Sequence, residues 1–209
     1  MTVNKVGIIG GTFDPIHCAH LVVAEWAKDE LGLDFVIFVP AANPPHKDFD
    51  EVLDKSYRFK MVELALRGNE DFVISDFEMQ RSGKSYTIDT IKYFKRLYPQ
   101  TELFFIMGID SLFYLDTWKD VEELIDLCKL IVATRPGYVM EDNHVFYDKL
   151  PQRVWDKTTF IEIPELEISS RVLRQRVREN KSIKYLVPES IEKYIKDNNI
   201  YGESDDKKL

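Results

Sequence analysis

Residues 4–20 have the sequence NKVGIIGGTFDPIHCAH, and the fold class follows from this stretch. The apolar run before Gly10 is typical of a buried strand, because a strand covered on both faces needs apolar side chains on each. From Cys18 to Leu31 the pattern becomes helical, with Leu21, Ala24, Trp26, Ala27 and Leu31 forming an inward stripe. A buried strand that leads through glycines into a helix is the beginning of a crossover-connected parallel sheet.

The same alternation of strand and helix continues along the chain. It predicts strands at residues 35–39, 72–77, 103–107, 130–133 and 160–163, and helices at 56–67, 86–97, 121–126, near Ser169 or Ser170, and after Pro188. Residues 137–158 show no clean period and are predicted to form a partly ordered connection. We therefore predict an α/β fold with a single doubly wound, mostly parallel sheet and a helical C-terminal end. One domain is expected over residues 1–202, with a charged, frayed tail at 203–209.

The composition is that of an ordinary globular protein and argues against several classes. The 209 residues are 44% hydrophobic and 31% charged, with a net charge of −8. A negative chain is a poor match for nucleic acid, whose binding needs a basic face. No apolar run is long enough to cross a bilayer, no signal peptide is apparent, and two distant cysteines make no disulfide framework. We expect a cytoplasmic protein without nucleic-acid or membrane partners, and the composition leaves a homo-oligomer open.

Taken alone, the opening stretch leaves three alternatives. Gly10 and Gly11 allow close backbone approach, as a phosphate at a helix N-terminus requires, but they also suit a tight turn. His17 and His20 are three residues apart, so their rings can share one face of the helix start. A metal site would include Cys18, but structural zinc usually has four ligands and no second pair lies at a supporting distance.

Two motifs at opposite ends of the chain indicate a family. Residues 11–20, GTFDPIHCAH, resemble the G-x-F-x-P-x-H-x-G-H motif of the nucleotidylyltransferase superfamily, with Ala19 in place of the second glycine. Residues 168–174, ISSRVLR, resemble its I-S-S-T-x-I-R motif, with Arg171 in place of threonine. Serines at a helix start cap free N–H groups, and an arginine one turn later adds to an anion site. The resemblance implies a Rossmann-like nucleotidylyltransferase fold.

The middle of the chain resembles one branch of this superfamily, the bacterial nicotinate-mononucleotide adenylyltransferases. The matching stretches are NPPHK at 43–47, SYTIDT at 85–90, GIDSL at 108–112 continuing to Trp118, and ATRPG at 133–137. The resemblance runs from about Lys5 to Tyr201. It implies that ATP and nicotinate mononucleotide give nicotinate adenine dinucleotide and pyrophosphate, on the route to NAD. The implied mechanism is direct in-line attack without a covalent enzyme intermediate, with Mg²⁺ shared by the substrate phosphates.

Three alternatives remain at this stage. The enzyme could prefer nicotinamide mononucleotide, or it could use another phosphate monoester such as phosphopantetheine. A nucleotide-binding regulator with weakened catalysis is a different class, and only the departures at Ala19 and Arg171 favour it. The intact histidines and arginine of the two motifs favour the enzyme.

The resemblance also implies the site residues. The catalytic group is His17, His20, Lys47 and Arg174. The ATP-binding group is Gly10, Gly11, Thr12, Phe13, His17, His20, Gly108, Asp110, Ser169, Ser170 and Arg174. The mononucleotide-binding group is Asn43, Lys47, Thr87, Asp110, Trp118 and Arg135. In this assignment the histidines contact the ATP phosphates, and Trp118 stacks on the pyridine ring. Asp110 suits a ribose hydroxyl and equally a helix cap. No metal ligand is assigned to a protein side chain. Lys119 stands where the family often has an aromatic residue, and a cation there would favour the acid substrate over the amide.

Overall fold

The computed structural model describes residues 3–44, 52–136 and 149–202. Within this part of the chain, six parallel strands form one sheet: β1 (Lys5–Gly11), β2 (Phe35–Pro40), β3 (Phe72–Ile74), β4 (Glu102–Gly108), β5 (Lys129–Thr134) and β6 (Thr158–Glu162). Their order is β3-β2-β1-β4-β5-β6. The chain builds the sheet outward from β1 in one direction and then from β4 in the other, so the crossover helices cover both faces. The prediction of a single doubly wound sheet is confirmed.

The helices begin and end close to the predicted positions. Those of the described residues are α1 (Cys18–Leu31), α2 (Lys55–Ala65), α3 (Thr87–Leu97), α4 (Ile109–Leu112), α5 (Val121–Leu127), α6 (Gln152–Asp156), α7 (Ser170–Arg178) and α8 (Glu189–Asp197). A single 3-10 turn at Leu115–Thr117 follows α4. The last two helices confirm the helical C-terminal end. No described helix combines the length and the apolar character that crossing a membrane requires.

Three predicted details differ from the structure. Strand β3 stops at Ile74 instead of residue 77, because the chain turns there: the Phe77 N–H donates to Oγ of Ser75 at 3.3 Å. Residues 149–158 contain α6 and the start of β6, and a five-residue helix is too short to show a period. Trp26 is 37% exposed and does not lie in the inward stripe of α1. It is two residues from the buried Ala24, and two residues turn a helix by about 200°.

The described residues cluster into two compact units. Unit 1 is drawn from residues 3–10, 23–37, 86–136 and 149–165, and unit 2 from residues 11–22, 38–44, 52–85 and 166–202. The expected single domain over residues 1–202 stays a prediction, and the tail at 203–209 lies outside the described residues. In unit 1, β1 pairs with β4 through Ile9 and Ile106, so that Gly10 and Gly108 lie at the carboxyl ends of adjacent strands, at the same edge of the sheet. In unit 2, α2 packs against α8.

Candidate functional site

The loop after β1 and the first turn of α1 bring two imidazole rings together in unit 2. The ring centroids of His17 and His20 are 3.7 Å apart with an interplanar angle of 26°, so the rings are stacked. The backbone N–H of His17 donates to Nδ1 of His20 at 3.2 Å. A nitrogen that accepts a hydrogen bond has no proton of its own, so the neutral ring of His20 has its proton on Nε2. The shared face predicted from the spacing is present.

His17 is neutral at physiological pH. Burial lowers the pKa of His17 from 6.5 to about 4, because a buried ring loses the water that would stabilise its charge. Among the residues that the structure describes, none hydrogen-bonds to Nδ1 of His17, although this atom is buried. A buried polar atom without a partner costs free energy, which an incoming ligand can recover. The ring is therefore suited to hydrogen bonding with a ligand and not to acting as a cation.

Packing explains one of the two glycines of the opening stretch. A Cβ at Gly11 would lie 3.0 Å from two ring carbons of Phe13, so any side chain there would require the Phe13 ring to shift. A Cβ at Gly10 would meet only the ring of Phe105 at an ordinary 3.5 Å, and one at Gly108 would meet nothing within 4 Å. The N–H of Cys18 at the start of α1 already donates to the carbonyl of Leu186 at 3.0 Å. Packing against Phe13 therefore accounts for Gly11 but not for Gly10.

The two predicted motifs meet in unit 2, although 155 residues separate the serine helix from the loop. Ser169 caps α7 by accepting from the N–H of Val172 at 3.3 Å, as the sequence predicts for one of the two serines. Ser170 instead donates its hydroxyl to the carbonyl of Pro15 at 2.9 Å. Arg174, one turn later, donates from Nη1 to the carbonyl of Asp14 at 2.7 Å. The start of α7 is therefore hydrogen-bonded to the segment between β1 and α1, residues 12–17, which ends at His17 and is called the histidine loop below.

A buried arginine that the sequence pattern does not reveal holds the same loop. Arg58 lies on α2, is 1% exposed, and donates from all three of its guanidinium nitrogens to four backbone carbonyls. The acceptors are Thr12 (2.8 Å), Ala41 (2.7 Å), Ala42 (3.1 Å) and Leu53 (2.8 Å). An arginine on a helix is ordinarily at the surface, so periodicity gives no reason to place this one inside.

Two further buried residues of this region, Asp14 and Tyr201, are not assigned a role by the sequence analysis. Asp14 is buried, and its Oδ1 accepts from the hydroxyl of Tyr201 at 2.6 Å. Its Oδ2 lies 3.6 Å from Nη1 of Arg174 and accepts from the N–H of Leu53 at 3.5 Å. The position of Asp14 within the motif at residues 11–20 is a weak indication in the sequence that it has a role. No feature of the sequence gives such an indication for Tyr201.

The residues assigned to the pyridine mononucleotide lie mostly in unit 1. Thr87 is the first residue of α3, and the half-buried Trp118 follows the 3-10 turn. Its ring centroid lies 5.7 Å from that of Phe105, and the two rings are nearly perpendicular. Nζ of Lys119 lies 4.8 Å from the centre of the Tyr86 ring. Asp110 is exposed in the first turn of α4, whose N-cap is the preceding Gly108, so the capping alternative for Asp110 is wrong.

Of the three remaining residues assigned to the mononucleotide, Asn43 and Arg135 lie among the described residues and Lys47 does not. In unit 2, the side-chain amide of Asn43 donates to the carbonyl of Gly83 at 2.8 Å, which ties the loop after β2 to the segment before α3. In unit 1, Arg135 is exposed just after β5, 3.9 Å from Glu165. Lys47 lies outside the described residues, so its assignment stays a prediction.

Near Trp118, unit 1 also has an acidic cavity of about 560 Å³. Its lining includes the carboxylates Asp116, Asp120, Glu122 and Glu123 against the single cation Lys149. A ligand with phosphate groups would meet like charge there, so this cavity is not suited to a nucleotide. Within residues 3–44, 52–136 and 149–202, no group of three or more His, Cys, Asp or Glu side chains could hold a metal ion.

The chain is similar in sequence to a set of named proteins. The family model described as Cytidylyltransferase-like matches residues 8–176. A probable nicotinate-nucleotide adenylyltransferase of Moorella thermoacetica is 46% identical over 199 residues, covering 95% of this chain and 92% of the relative. Proteins with the same name from Thermoanaerobacter sp. and Clostridium novyi are 46% and 40% identical, covering 97% and 95% of this chain and 96% and 99% of the relatives.

Solved structures share the fold at lower sequence identity. Nicotinic acid mononucleotide adenylyltransferase of Plasmodium falciparum, in complex with NaAD, matches with a TM-score of 0.76 at 24% identity, covering 95% of this chain and 97% of that chain. A putative nicotinate-nucleotide adenylyltransferase of Vibrio parahaemolyticus matches with a TM-score of 0.65 at 18% identity, covering 95% of each chain. These likenesses agree with the Rossmann-like nucleotidylyltransferase fold expected from the motifs.

Proposed function

The chain belongs to the cytidylyltransferase-like family, and we propose that it transfers the adenylyl group of ATP to nicotinate mononucleotide, giving nicotinate adenine dinucleotide and pyrophosphate. This reaction is a step in NAD biosynthesis. Relatives that bear the corresponding name are 40–46% identical over nearly the whole chain. The structural observation on which the proposal rests is the meeting of the two motifs in unit 2, where Ser170 and Arg174 hydrogen-bond to the loop that precedes His17.

The chemistry of the reaction fits a site without a general base. The phosphate of the mononucleotide has its second pKa near ~6, so at neutral pH the nucleophile is already mostly ionised. The obstacle is repulsion: two unit negative charges about 4 Å apart cost roughly 4 kcal/mol at an effective dielectric of 20. The enzyme therefore needs donors and cations placed around the phosphates, and it needs to align the attacking oxygen with the α-phosphorus.

The residues of unit 2 have the properties that the ATP phosphates require. We assign the Nε2–H of His20 and the neutral ring of His17 to hydrogen bonds with phosphate oxygens, because neither contact needs a charged imidazole. Arg174 supplies a permanent positive charge, and its contacts with Asp14 use the Nη1 nitrogen. The remaining N–H groups of the guanidinium fork can then contact a phosphate. Lys47 is assigned as a second cation that stabilises the charge in transit.

The residues of unit 1 are proposed to select the pyridine nucleotide. The half-buried ring of Trp118 lies nearly perpendicular to that of Phe105, and an indole ring offers a flat apolar face that suits stacking on a pyridine ring. Thr87 is assigned to the pyridine carboxylate, Asp110 to a ribose hydroxyl, and Asn43 of unit 2 and Arg135 to the mononucleotide phosphate. Mg²⁺ is proposed to enter with ATP, since this ion is commonly held by substrate phosphates and retained waters.

A pyrophosphate-release assay tests the proposal directly. The purified protein is given ATP and Mg²⁺ with either nicotinate mononucleotide or nicotinamide mononucleotide. We expect release with the nicotinate substrate and much weaker release with its amide, because buried donors that pair a carboxylate are left unpaired by an amide. Absence of release with nicotinate mononucleotide would show that the proposed reaction is wrong, and preference for the amide would correct its substrate.

Two arginines of α7 give a matched comparison for the assay. Arg174 contacts the histidine loop, whereas Arg178 is exposed at the end of the same helix. Arg174→Ala should lower kcat by at least about 100-fold, the size usually seen when a group that stabilises transition-state charge is removed. Arg178→Ala should leave kcat within about twofold of the parent. Equal effects of the two substitutions would contradict the role given to Arg174.

A further inference from the structure

Tyr201 lies at the C-terminal end of the described chain, yet its hydroxyl reaches into the interior of unit 2. The residue is buried and donates to Oδ1 of Asp14 at 2.6 Å. Burial, together with the charge of Asp14, raises the pKa of Tyr201 well above its usual value. The phenol therefore keeps its proton, and a carboxylate beside it can only accept. The bond has one direction, from Tyr201 to Asp14.

The other oxygen of Asp14 faces the arginine of the serine helix. Oδ2 lies 3.6 Å from Nη1 of Arg174, and the same nitrogen donates to the backbone carbonyl of Asp14 at 2.7 Å. The N–H of Leu53 also points at Oδ2, at 3.5 Å. A carboxyl group with partners on both oxygens cannot rotate about its last bond without losing one of them. The side chain of Arg174 thus meets a carboxylate whose orientation Tyr201 helps to set.

We propose that Tyr201 is a positioning residue for Arg174: its hydroxyl fixes the carboxylate of Asp14, and that carboxylate fixes the guanidinium where it meets the ATP phosphates. The inference rests on the proposed function, since it takes Arg174 as a phosphate contact. Arginine has a long stem with several rotatable bonds, so a site that uses one gains from a buried anchor that selects one rotamer. The role of Tyr201 belongs to the active site although its position, close to the end of the chain, belongs to no motif.

A purely structural role would look different in a double-mutant cycle. If the hydroxyl of Tyr201 acts through Arg174, then its removal has no effect on kcat once Arg174 is absent. If the hydroxyl only supports the fold, its removal has the same effect with and without Arg174, because independent contributions add. The comparison therefore needs Tyr201→Phe, Arg174→Ala and the double variant, each as the full chain.

The cycle is measured by pyrophosphate release from ATP and nicotinate mononucleotide, with kcat and both KM values determined separately. We expect Tyr201→Phe to lower kcat by about 10- to 100-fold, the range expected when a reacting group is misplaced by up to about 1 Å. The KM for nicotinate mononucleotide should stay within about twofold. In the Arg174→Ala background the same substitution should change kcat by less than about twofold. Tyr194→Phe is the matched control, because this half-buried tyrosine of α8 does not bond to Asp14, and it should retain the parental kcat.

Parental kcat in Tyr201→Phe, or the same fold-loss in both backgrounds, would overturn the inference. If Tyr201→Phe does not fold, Asp14→Asn replaces it: the amide oxygen can still accept from Tyr201, while the amide nitrogen cannot pair with Arg174. A loss of kcat in Asp14→Asn that disappears in the Arg174→Ala background supports the link from Asp14 to Arg174, through which the hydroxyl of Tyr201 must act, and an unchanged kcat overturns the inference.

The failure of the proposed function can be told apart from the failure of the inference. A parent protein that releases no pyrophosphate overturns the function alone. The same cycle is then measured by thermal unfolding without substrate, which reports on the link between Tyr201 and Arg174 whatever the reaction is. Non-additive shifts in Tm support the link, and additive shifts overturn it.

Discussion

The most informative substitution is Arg58→Met, because it removes one buried group that holds several loops. Arg58 is 1% exposed and donates to four carbonyls at 2.7–3.1 Å. Methionine fills part of the space but donates nothing, so the carbonyls of Thr12, Ala41, Ala42 and Leu53 lose their donor. This variant should lower both the stability of the protein and its activity, since the carbonyl of Thr12 belongs to the histidine loop.

The size of the stability loss follows from these contacts. A hydrogen bond to a charged group contributes about 1.5–3 kcal/mol, and four of them set an upper limit that water entering the site will reduce. A buried acceptor left without a partner costs about 1–3 kcal/mol, and because water can reach some of the four carbonyls we take about 4 kcal/mol in total for Arg58→Met. In a chain of this length each kcal/mol shifts Tm by about 2–4 °C, so the expected fall is about 8–16 °C.

Thermal unfolding followed by circular dichroism measures this shift. Arg67→Met is the matched control: Arg67 lies just past α2, is exposed, and pairs only loosely with Glu63 at 3.6 Å. Its Tm should change by less than about 2 °C, because exposed ion pairs contribute little. Arg58→Lys should fall between the two, since a single ammonium cannot reach all the carbonyls that the guanidinium fork reaches. A loss below about 3 °C in Arg58→Met would refute the reasoning.

Three further outcomes follow from the site. His20→Ala should lower kcat by about 100-fold or more with an unchanged circular dichroism spectrum, and near-normal kcat would mean that the histidine motif is misinterpreted. Because burial lowers the pKa of His17 to about 4, the unfolded chain takes up this proton first as pH falls. The stability that the neutral ring contributes is therefore present above about pH 6.5 and is lost towards about pH 4. Urea unfolding across this range should show a weaker pH dependence in His17→Asn than in the parent, and equal slopes would contradict the assignment. Trp118→Ala should raise the KM for nicotinate mononucleotide at least about tenfold and that for ATP less than about threefold; equal changes would argue against stacking on the pyridine ring.

Much of the fold was predictable because its elements have strong local patterns. The helix from Cys18 to Leu31 begins and ends as predicted, and the buried strands are continuous apolar runs that are bounded by polar residues and glycine. The motif residues were also predictable: His17 and His20 do share one face, and Ser169 does cap a helix. The short α6 and the early end of β3 were not predictable, since each depends on a single turn of the chain and neither produces a periodic pattern of apolar residues.

The roles of the supporting residues depend on contacts that no local pattern describes. Arg58 lies on α2, and an arginine on a helix is ordinarily exposed. Tyr201 follows α8, the last helix of the described residues, and belongs to no motif. Each is defined by a partner far along the chain: Tyr201 bonds to Asp14 across 187 residues, and Arg58 bonds to Thr12 across 46. The neutral state of His17 likewise comes from burial by its surroundings.

The sequence alone therefore determined the sheet, its order of strand and helix, and the motifs that mark the candidate site, because periodicity and motif spacing are local properties of the chain. Tertiary structure decided which distant residues hydrogen-bond to the histidine loop, and it decided that His17 is neutral. Burial and long-range hydrogen bonds set pKa values and side-chain orientations, and both depend on which segments pack together. In this protein the sequence shows two histidines in a motif. The tertiary structure shows that their rings are stacked and that Arg58, Arg174 and Tyr201 hydrogen-bond to the loop before them.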